Sequence, residues 1–246
     1  MIETVTFDWW FTMVRLPLSQ KEYTGWAKQT RIKGIKQVLA ESGRDVSLER
    51  LSEAYDLFSK HLEDVWERML DLSAIEQIAI LLQHAGVRNI SDPWLLSRLE
   101  EPFGRVLLDR PPLLNDGVVE CLRTLKDGGY RIGLISNTGR TWGKYLREVQ
   151  KQYGVFDFFE VLTFSDEVGI RKPHPAIFTR TLEKMHASPA TTVHIGDDVN
   201  ADVKGAKGVG MRAVWYNNGF WPDARTDDAD AEINHFNELP AIIRRM

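Results

Sequence analysis

From residue 116 onward the chain alternates short apolar runs with helical stretches, and this rhythm restricts the possible folds more than any other feature. Tyr130-Arg131-Ile132-Gly133-Leu134-Ile135-Ser136 reads as a buried strand, preceded by a helical pattern over 116–128 that stops at Gly128-Gly129. Helices are expected over about 139–152, 174–186 and 199–207, with strands over 158–164, 191–196 and 211–216 between and after them, then a last short strand and helix. Such alternation requires right-handed crossovers and a parallel sheet covered on both faces. Val5-Thr6-Phe7, running into Asp8, has the same strand character but stands far upstream. From Lys21 to about Leu107 the pattern is helical, with helices expected over about 21–41, 73–85 and 91–107. One more helix, opening at Ser47 and ending near Asp71–Ser73, carries Leu51, Ala54, Tyr55, Phe58, Leu62, Val65 and Met69 on one face. The expected fold class is α/β: a three-layer Rossmann-like parallel sheet core, residues 1–15 and 108–246, with an all-helical cap, residues 16–107, inserted after strand one.

Composition narrows the functional classes. A net charge of -4 over 246 residues argues against a dedicated nucleic-acid binder. The single cysteine, Cys121, excludes an intrachain disulfide and a thiolate metal cluster. Apolar runs such as Ile78-Ala79-Ile80-Leu81-Leu82 fall far short of the ~18 residues that span a bilayer. Met1-Ile2-Glu3-Thr4 lacks the basic start and apolar stretch of a signal peptide. A soluble cytoplasmic protein with neither a nucleic-acid nor a membrane partner is the expectation.

Open parallel sheets bind ligands beyond the carboxyl ends of their strands. Three of those ends carry reactive groups here: Asp8, then Ser136-Asn137-Thr138, then Gly196-Asp197-Asp198 with Asp202 shortly after. Lys172-Pro173 opens a helix between the last two. Carboxylates gathered at strand ends raise one another's pKa, a penalty that a divalent cation reverses. Mg²⁺ suits such a set because it takes oxygen ligands from one or two carboxylates plus water and substrate phosphate. A nearby hydroxyl and ammonium would hold the remaining anionic oxygens, and a carboxylate can itself attack phosphorus.

Phe7-Asp8-x-x-x-Thr12, Ile135-Ser136-Asn137, Lys172-Pro173 and Gly196-Asp197-Asp198-x-x-x-Asp202 resemble the four motifs of the haloacid dehalogenase-like superfamily, and the helical insertion falls where one subfamily carries its C1 cap. The resemblance covers essentially the whole chain. It implies that Asp8 is the nucleophile, that Thr12 orients it, and that Ser136, Asn137 and Lys172 hold phosphate. It further implies a Mg²⁺ site made by Asp8, Asp197 and the main-chain carbonyl of Trp10, with Asp202 orienting Lys172 or water. The partner would be a small phosphorylated molecule, hydrolysed through an aspartyl-phosphate.

Position 10 departs from that pattern. The phosphatases carry a second aspartate there, as general acid and then base, and this chain has Trp10. Indole cannot shuttle a proton, and losing a general acid/base costs about 10²–10⁴ in rate. Slow turnover of alkyl phosphates is therefore expected, with less effect on aryl or acyl phosphates. Dehalogenases of the superfamily commonly have an aromatic at this position, but use no metal and carry neutral residues in place of Asp197 and Asp198. A 2-haloacid dehalogenase and a non-catalytic binding relative are the alternatives.

Each residue also has a plainer reading. Asp8 could cap a strand end, Ser136-Asn137-Thr138 could cap a helix, Lys172 could be solvated, and Asp202 could make a local ion pair. Asp198 reads as a helix-start residue. His194 reads as a structural histidine and His174 as a residue near the site, while Trp215 reads as packing. Among Arg15, Lys21, Lys28, Arg31 and Lys33, any one could face the cleft as a substrate anchor, against a default of solvated charge.

Overall fold

The computed structural model describes every residue except 89 and 91. Its main sheet is built from β1 (Thr4–Phe7), β4 (Arg131–Ser136), β5 (Val161–Phe164), β6 (Thr192–Gly196), β7 (Arg212–Tyr216) and β8 (Ala231–Ile233), in the spatial order β5-β4-β1-β6-β7-β8. All neighbours are parallel. All four residues of β1 are buried, as a strand covered on both faces requires. Strand order reverses around β1, which lies between β4 and β6, so the carboxyl end of β1 opens at the switch point where such sheets bind ligands. The register fixes what meets there: Phe7 is opposite both Leu134 and Ile195, and the Asp8 N–H donates to the Ile195 carbonyl.

The insertion consists of α1 (Gln20–Glu41), α2 (Leu48–Glu67), α3 (Ala74–Ala85), α4 (Pro93–Gly104) and the short α5 (Val106–Asp109). Ser19 and Ser73 open α1 and α3 through reciprocal hydrogen bonds with Glu22 and Glu76, and Ser47 caps α2 as its position implied. Leu51, Ala54, Tyr55, Phe58, Leu62 and Val65 form the buried stripe of α2. Met69 does not belong to it: the helix ends at Glu67, and Met69 takes φ 57° in the turn beyond. The helix expected over 91–107 is two helices, α4 and α5, and its expected first residue lies outside the described residues. The two chain crossings into and out of the insertion pair with each other as β2 (Val14–Arg15) and β3 (Leu113–Leu114), antiparallel.

The core helices are α6 (Val118–Asp127), α7 (Gly143–Gln152), α8 (Ser165–Val168), α9 (Pro175–Lys184), α10 (Gly205–Gly208) and α11 (Leu239–Ile243). α7 starts later than its periodicity suggests, because residues 139–142 form a loop and Trp142 is extended at φ -68°, ψ 152°. The 158–164 strand shortens to β5 because Phe156–Phe158 turns into a 3₁₀ helix. The helix expected at 199–207 is a π-helical stretch, Val199–Lys204, running into α10. A continuous apolar cluster joins the insertion to the sheet layer. At its centre Phe103 of α4 stacks on Trp142, with centroids 5.1 Å apart and planes 4° from parallel. Both are fully buried, and burying one side chain of this size contributes roughly 1.5–3 kcal/mol.

Asp166, on α8, provides the N-terminal cap that α7 lacks locally, its carboxylate accepting from the Gly143 N–H at 3.2 Å. Burial pushes its pKa up to about 6, against the opposing pull of Thr138 and Gly143 donors. A carboxyl with a raised folded-state pKa binds more protons when folded, so its contribution to stability is complete below its unfolded pKa and is lost as pH rises. Unfolding free energy should therefore drop by about 1–3 kcal/mol more in the wild type than in Asp166→Asn between pH 4 and pH 7. Urea denaturation of both proteins across that range tests this; parallel pH profiles would contradict it.

Candidate active site

Lys172 is the hub of the strand-end cluster. Its Nζ lies 2.6 Å from Asp8 Oδ1 and 2.6 Å from Asp202 Oδ1, and all three side chains are buried. The backbone that presents it is held by Asn137, whose amide oxygen accepts from the Lys172 N–H at 2.8 Å while its amide nitrogen donates to the Lys172 carbonyl at 3.1 Å. Asn137, read from sequence as a phosphate contact, thus spends its side chain positioning the lysine loop. Asp202 is fixed from three sides: it accepts from Lys172, from the Asp198 N–H at 3.0 Å, and pairs with His194 Nε2 at 3.1 Å. His194 Nδ1 in turn meets Thr6 Oγ1 at 2.9 Å, so this strand histidine is fully engaged within the core. Gly196 makes the packing possible: a Cβ there would overlap the Asp202 carboxyl group.

Asp197 lies beside this triad, on the far side of Asp8 from Ser136 in sheet order. Thr12, expected to orient Asp8, instead donates to Asp197 Oδ1 at 2.9 Å, because the turn after β1 folds back as Met13 and Val14 N–H groups donate to the Trp9 carbonyl. The second oxygen of Asp197 accepts from the Trp221 indole at 2.8 Å, and its main-chain carbonyl accepts from the Trp215 indole at 2.9 Å. Trp215, read from sequence as packing, and Trp221 thus both hold this residue; indole donors offer no periodic signal that would reveal such bonds. The loop carrying Trp221 is braced by Phe220, which stacks on Phe11 at 3.8 Å. Trp10 is half-buried on the same turn, and its carbonyl accepts none of the turn's backbone bonds.

Ser136 is completely buried, and its hydroxyl has no hydrogen-bond partner among the described residues. A dry, unpaired hydroxyl is costly unless a ligand completes it. Asp198 caps the π-helical stretch, accepting from Asn200 and Ala201 N–H groups, and His174 caps α9 through Ala176 N–H. Neither of these two side chains is held toward the carboxylates.

The electrostatics follow from burial. Burial opposes the charge of Lys172, but Asp202 and Asp8 outweigh it and hold its pKa above the ordinary lysine value. Burial alone would raise Asp202, yet Lys172 and His194 bring it down to about 2. Asp8 is pushed up to about 7 by burial and the nearby Asp202 charge, against Lys172. Asp197 is pushed well above the usual carboxylate range by burial, Asp8 and Asp202. Oxygens of Asp8, Asp197 and Asp202 all come within 4.8 Å of one another. With Asp202 spent on Lys172, Asp8 and Asp197 are two crowded, buried, oxygen-only donors, a set that fits a hard divalent cation and would be kept ionised by one.

The comparisons with known proteins converge on one family. The family model for a haloacid dehalogenase-like hydrolase matches residues 2–210. A glyceraldehyde 3-phosphate phosphatase from Pyrococcus furiosus is 33% identical over 129 residues, 52% of each chain. A phosphoglycolate phosphatase from Nitrosococcus oceani is 29% identical over 134 residues, 53% of this chain and 57% of the relative. The chain spans about half the length of the curated relatives it matches. The crystal structure of a 2-haloacid dehalogenase from Pseudomonas syringae covers 100% of this chain and 99% of its own at TM-score 0.66 and 23% identity, a likeness of fold. Among the described residues no helix is long and apolar enough to cross a membrane. With its parallel sheet, its reactive strand ends and a family match over most of its length, the chain belongs to the haloacid dehalogenase-like hydrolases.

Proposed function

We propose that this hydrolase cleaves a small phosphomonoester, using Asp8 as nucleophile. The observation that carries the reading is the buried Lys172 ammonium bonded to both Asp8 and Asp202, with the unpartnered Ser136 hydroxyl at the end of the neighbouring strand. In the first step the Asp8 oxygen not bound to Lys172 attacks phosphorus. An O–P bond forms to the carboxylate, the ester P–O bond breaks, and the alcohol leaves after taking a proton from water. In the second step water attacks the phosphorus of the aspartyl-phosphate, releasing inorganic phosphate and restoring Asp8. Lys172 and Ser136 stabilise the transferring oxygens. Asp202, anchored by His194, keeps Lys172 charged and in place. Mg²⁺ bound by Asp8, Asp197 and the Trp10 carbonyl would neutralise the carboxylates and the phosphoryl charge. The residue 16–107 unit acts in this reading as a cap over the strand ends, with its two crossings at β2 and β3 as the connection to the core. Relatives named for glyceraldehyde 3-phosphate and phosphoglycolate support a substrate of a few carbons.

Trp10 gives a second reading its one foothold, since halide departs without a proton. In that case Asp8 displaces halide from carbon, and an unscreened Asp197 opposes the acid's own carboxylate.

Two outcomes separate these. Phosphate release from p-nitrophenyl phosphate and acetyl phosphate should require Mg²⁺, stop in EDTA, and vanish in Asp8→Asn. Halide release from 2-chloropropionate in EDTA, with no phosphate release under any condition, would replace this reading with the dehalogenase. Trp10→Asp should raise kcat for alkyl phosphates by about tenfold or more while changing kcat for acetyl phosphate far less, because only poor leaving groups need the added proton donor. An equal effect on both would show that protonation at position 10 does not limit turnover.

A further inference from the structure

A separate cavity of about 460 Å³ opens at the seam between the helical insertion and the core. It is bounded by α1, the middle of α2 and the loop that follows β4. Its wall carries four cations, Lys21, Lys28, Arg31 and Arg140, and a single acid, Asp56, which is already bonded to Lys28 at 2.6 Å. Arg31 is 4% exposed, and its guanidinium donates only to neutral oxygens: the Phe103 carbonyl, the Arg140 carbonyl and the Tyr55 hydroxyl, at 2.8, 2.8 and 3.0 Å. Its charge therefore has no bonded counter-ion among the described residues. Tyr55 uses its oxygen to accept from Arg31, which leaves its own O–H free to donate, with no acceptor among the described residues. The Arg140 side chain makes no hydrogen bond among the described residues; one face covers the Trp66 ring at 5.3 Å, and its Nε is buried without a partner. Glu63 acts on Arg140 only at longer range, and burial works against the Arg140 charge.

A buried guanidinium with no bonded counter-ion among the described residues, next to the half-buried Arg140 and an idle O–H in a cavity of metabolite size, is costly in an empty pocket and favourable in one that holds an anion. We propose that the seam cavity is an anion-binding pocket for a small carboxylate- or phosphate-bearing molecule, with the Arg140 guanidinium and Tyr55 hydroxyl as donors and Arg31 as the fixed charge behind them. Arg140 lies four residues beyond Ser136, the last residue of β4, so their Cα atoms are within about 14 Å of each other. That span admits two sources for the anion: the remote acidic group of the substrate itself, which rests on the phosphohydrolase reading, or a free anion bound apart from it.

Two measurements on the full chain decide the matter. Malonate, a dicarboxylate without phosphorus, is titrated calorimetrically into wild type, Arg140→Gln, Arg140→Lys and Tyr55→Phe, each checked for folding by circular dichroism and thermal melting. The ratio of kcat/KM for 2-phosphoglycolate to that for p-nitrophenyl phosphate is then compared between wild type and the same variants. Malonate binding should weaken roughly tenfold or more in Arg140→Gln, less in Tyr55→Phe, and be partly rescued in Arg140→Lys. If the substrate ratio falls by a similar factor, the pocket takes the substrate's second anionic group. If the ratio holds while malonate binding is lost, the occupant is a free anion. The calorimetry requires no turnover, so it still decides if the phosphohydrolase reading fails. Malonate binding and substrate ratio both equal to wild type in Arg140→Gln would overturn the proposal.

Discussion

A lysine ammonium buried between two carboxylates is the interaction on which the strand-end site depends. Taking Lys172 out of water is expensive, and only close, well-directed partners offset that cost. Asp8 and Asp202 supply them at 2.6 Å each. The arrangement holds because every member is tied to a strand end or its loop: Asp8 to β6 through its N–H, Lys172 to Asn137 beyond β4, Asp202 to His194 on β6. Gly196 leaves the space that Asp202 fills. Removing any one partner would strand a charge in the core, so the geometry of the site and the stability of the sheet's carboxyl edge are coupled.

Asp197 is in a different position. Both of its oxygens accept hydrogen bonds from neutral donors, Thr12 and Trp221, and its negative charge has no bonded cation among the described residues. Burial beside Asp8 and Asp202 works against that charge. The pair Asp8–Asp197 is thus the part of the cluster whose electrostatics a divalent cation would complete, whereas Asp202 is already balanced by Lys172. Trp10 adds a third condition: with no carboxyl at that position, the proposed chemistry depends on the leaving group more than on the enzyme for protons.

Much of this was legible in the sequence, for definite reasons. Strand-end placement of Asp8, Ser136 and Asp197 followed from the alternation of apolar runs and helices, because period and order determine where a parallel sheet's carboxyl edge falls. The helical insertion was visible in the α2 stripe from Leu51 to Val65, in the helix start at Ser47 and in the break at Asp71–Ser73. Asp198 as a helix-start residue and His194 as a satisfied core histidine also followed from position. Met69 was misplaced because periodicity does not register a left-handed turn. The bonds of Asn137 to the Lys172 backbone and of Thr12 to Asp197 are not given by the motifs, because a motif gives neighbours in sequence, while the turn after β1 and the loop at Lys172 decide which atoms meet. The bonds from Trp221 to Asp197 and from Arg31 to Tyr55 join residues far apart in the chain, and no local pattern encodes them. Of the five basic residues near the start of the insertion, only folding reveals that Arg31 is buried.

The central claim is that Asp8 accepts a phosphoryl group. Its most direct test is rapid acid quench of the wild-type protein mixed with acetyl phosphate and Mg²⁺, followed by mass spectrometry of the peptide containing residue 8. The account predicts a phosphoryl-mass adduct on Asp8 that hydroxylamine removes and that is absent from Asp8→Asn. Steady phosphate release with no adduct on Asp8 at any quench time, and undiminished in Asp8→Asn, would contradict it.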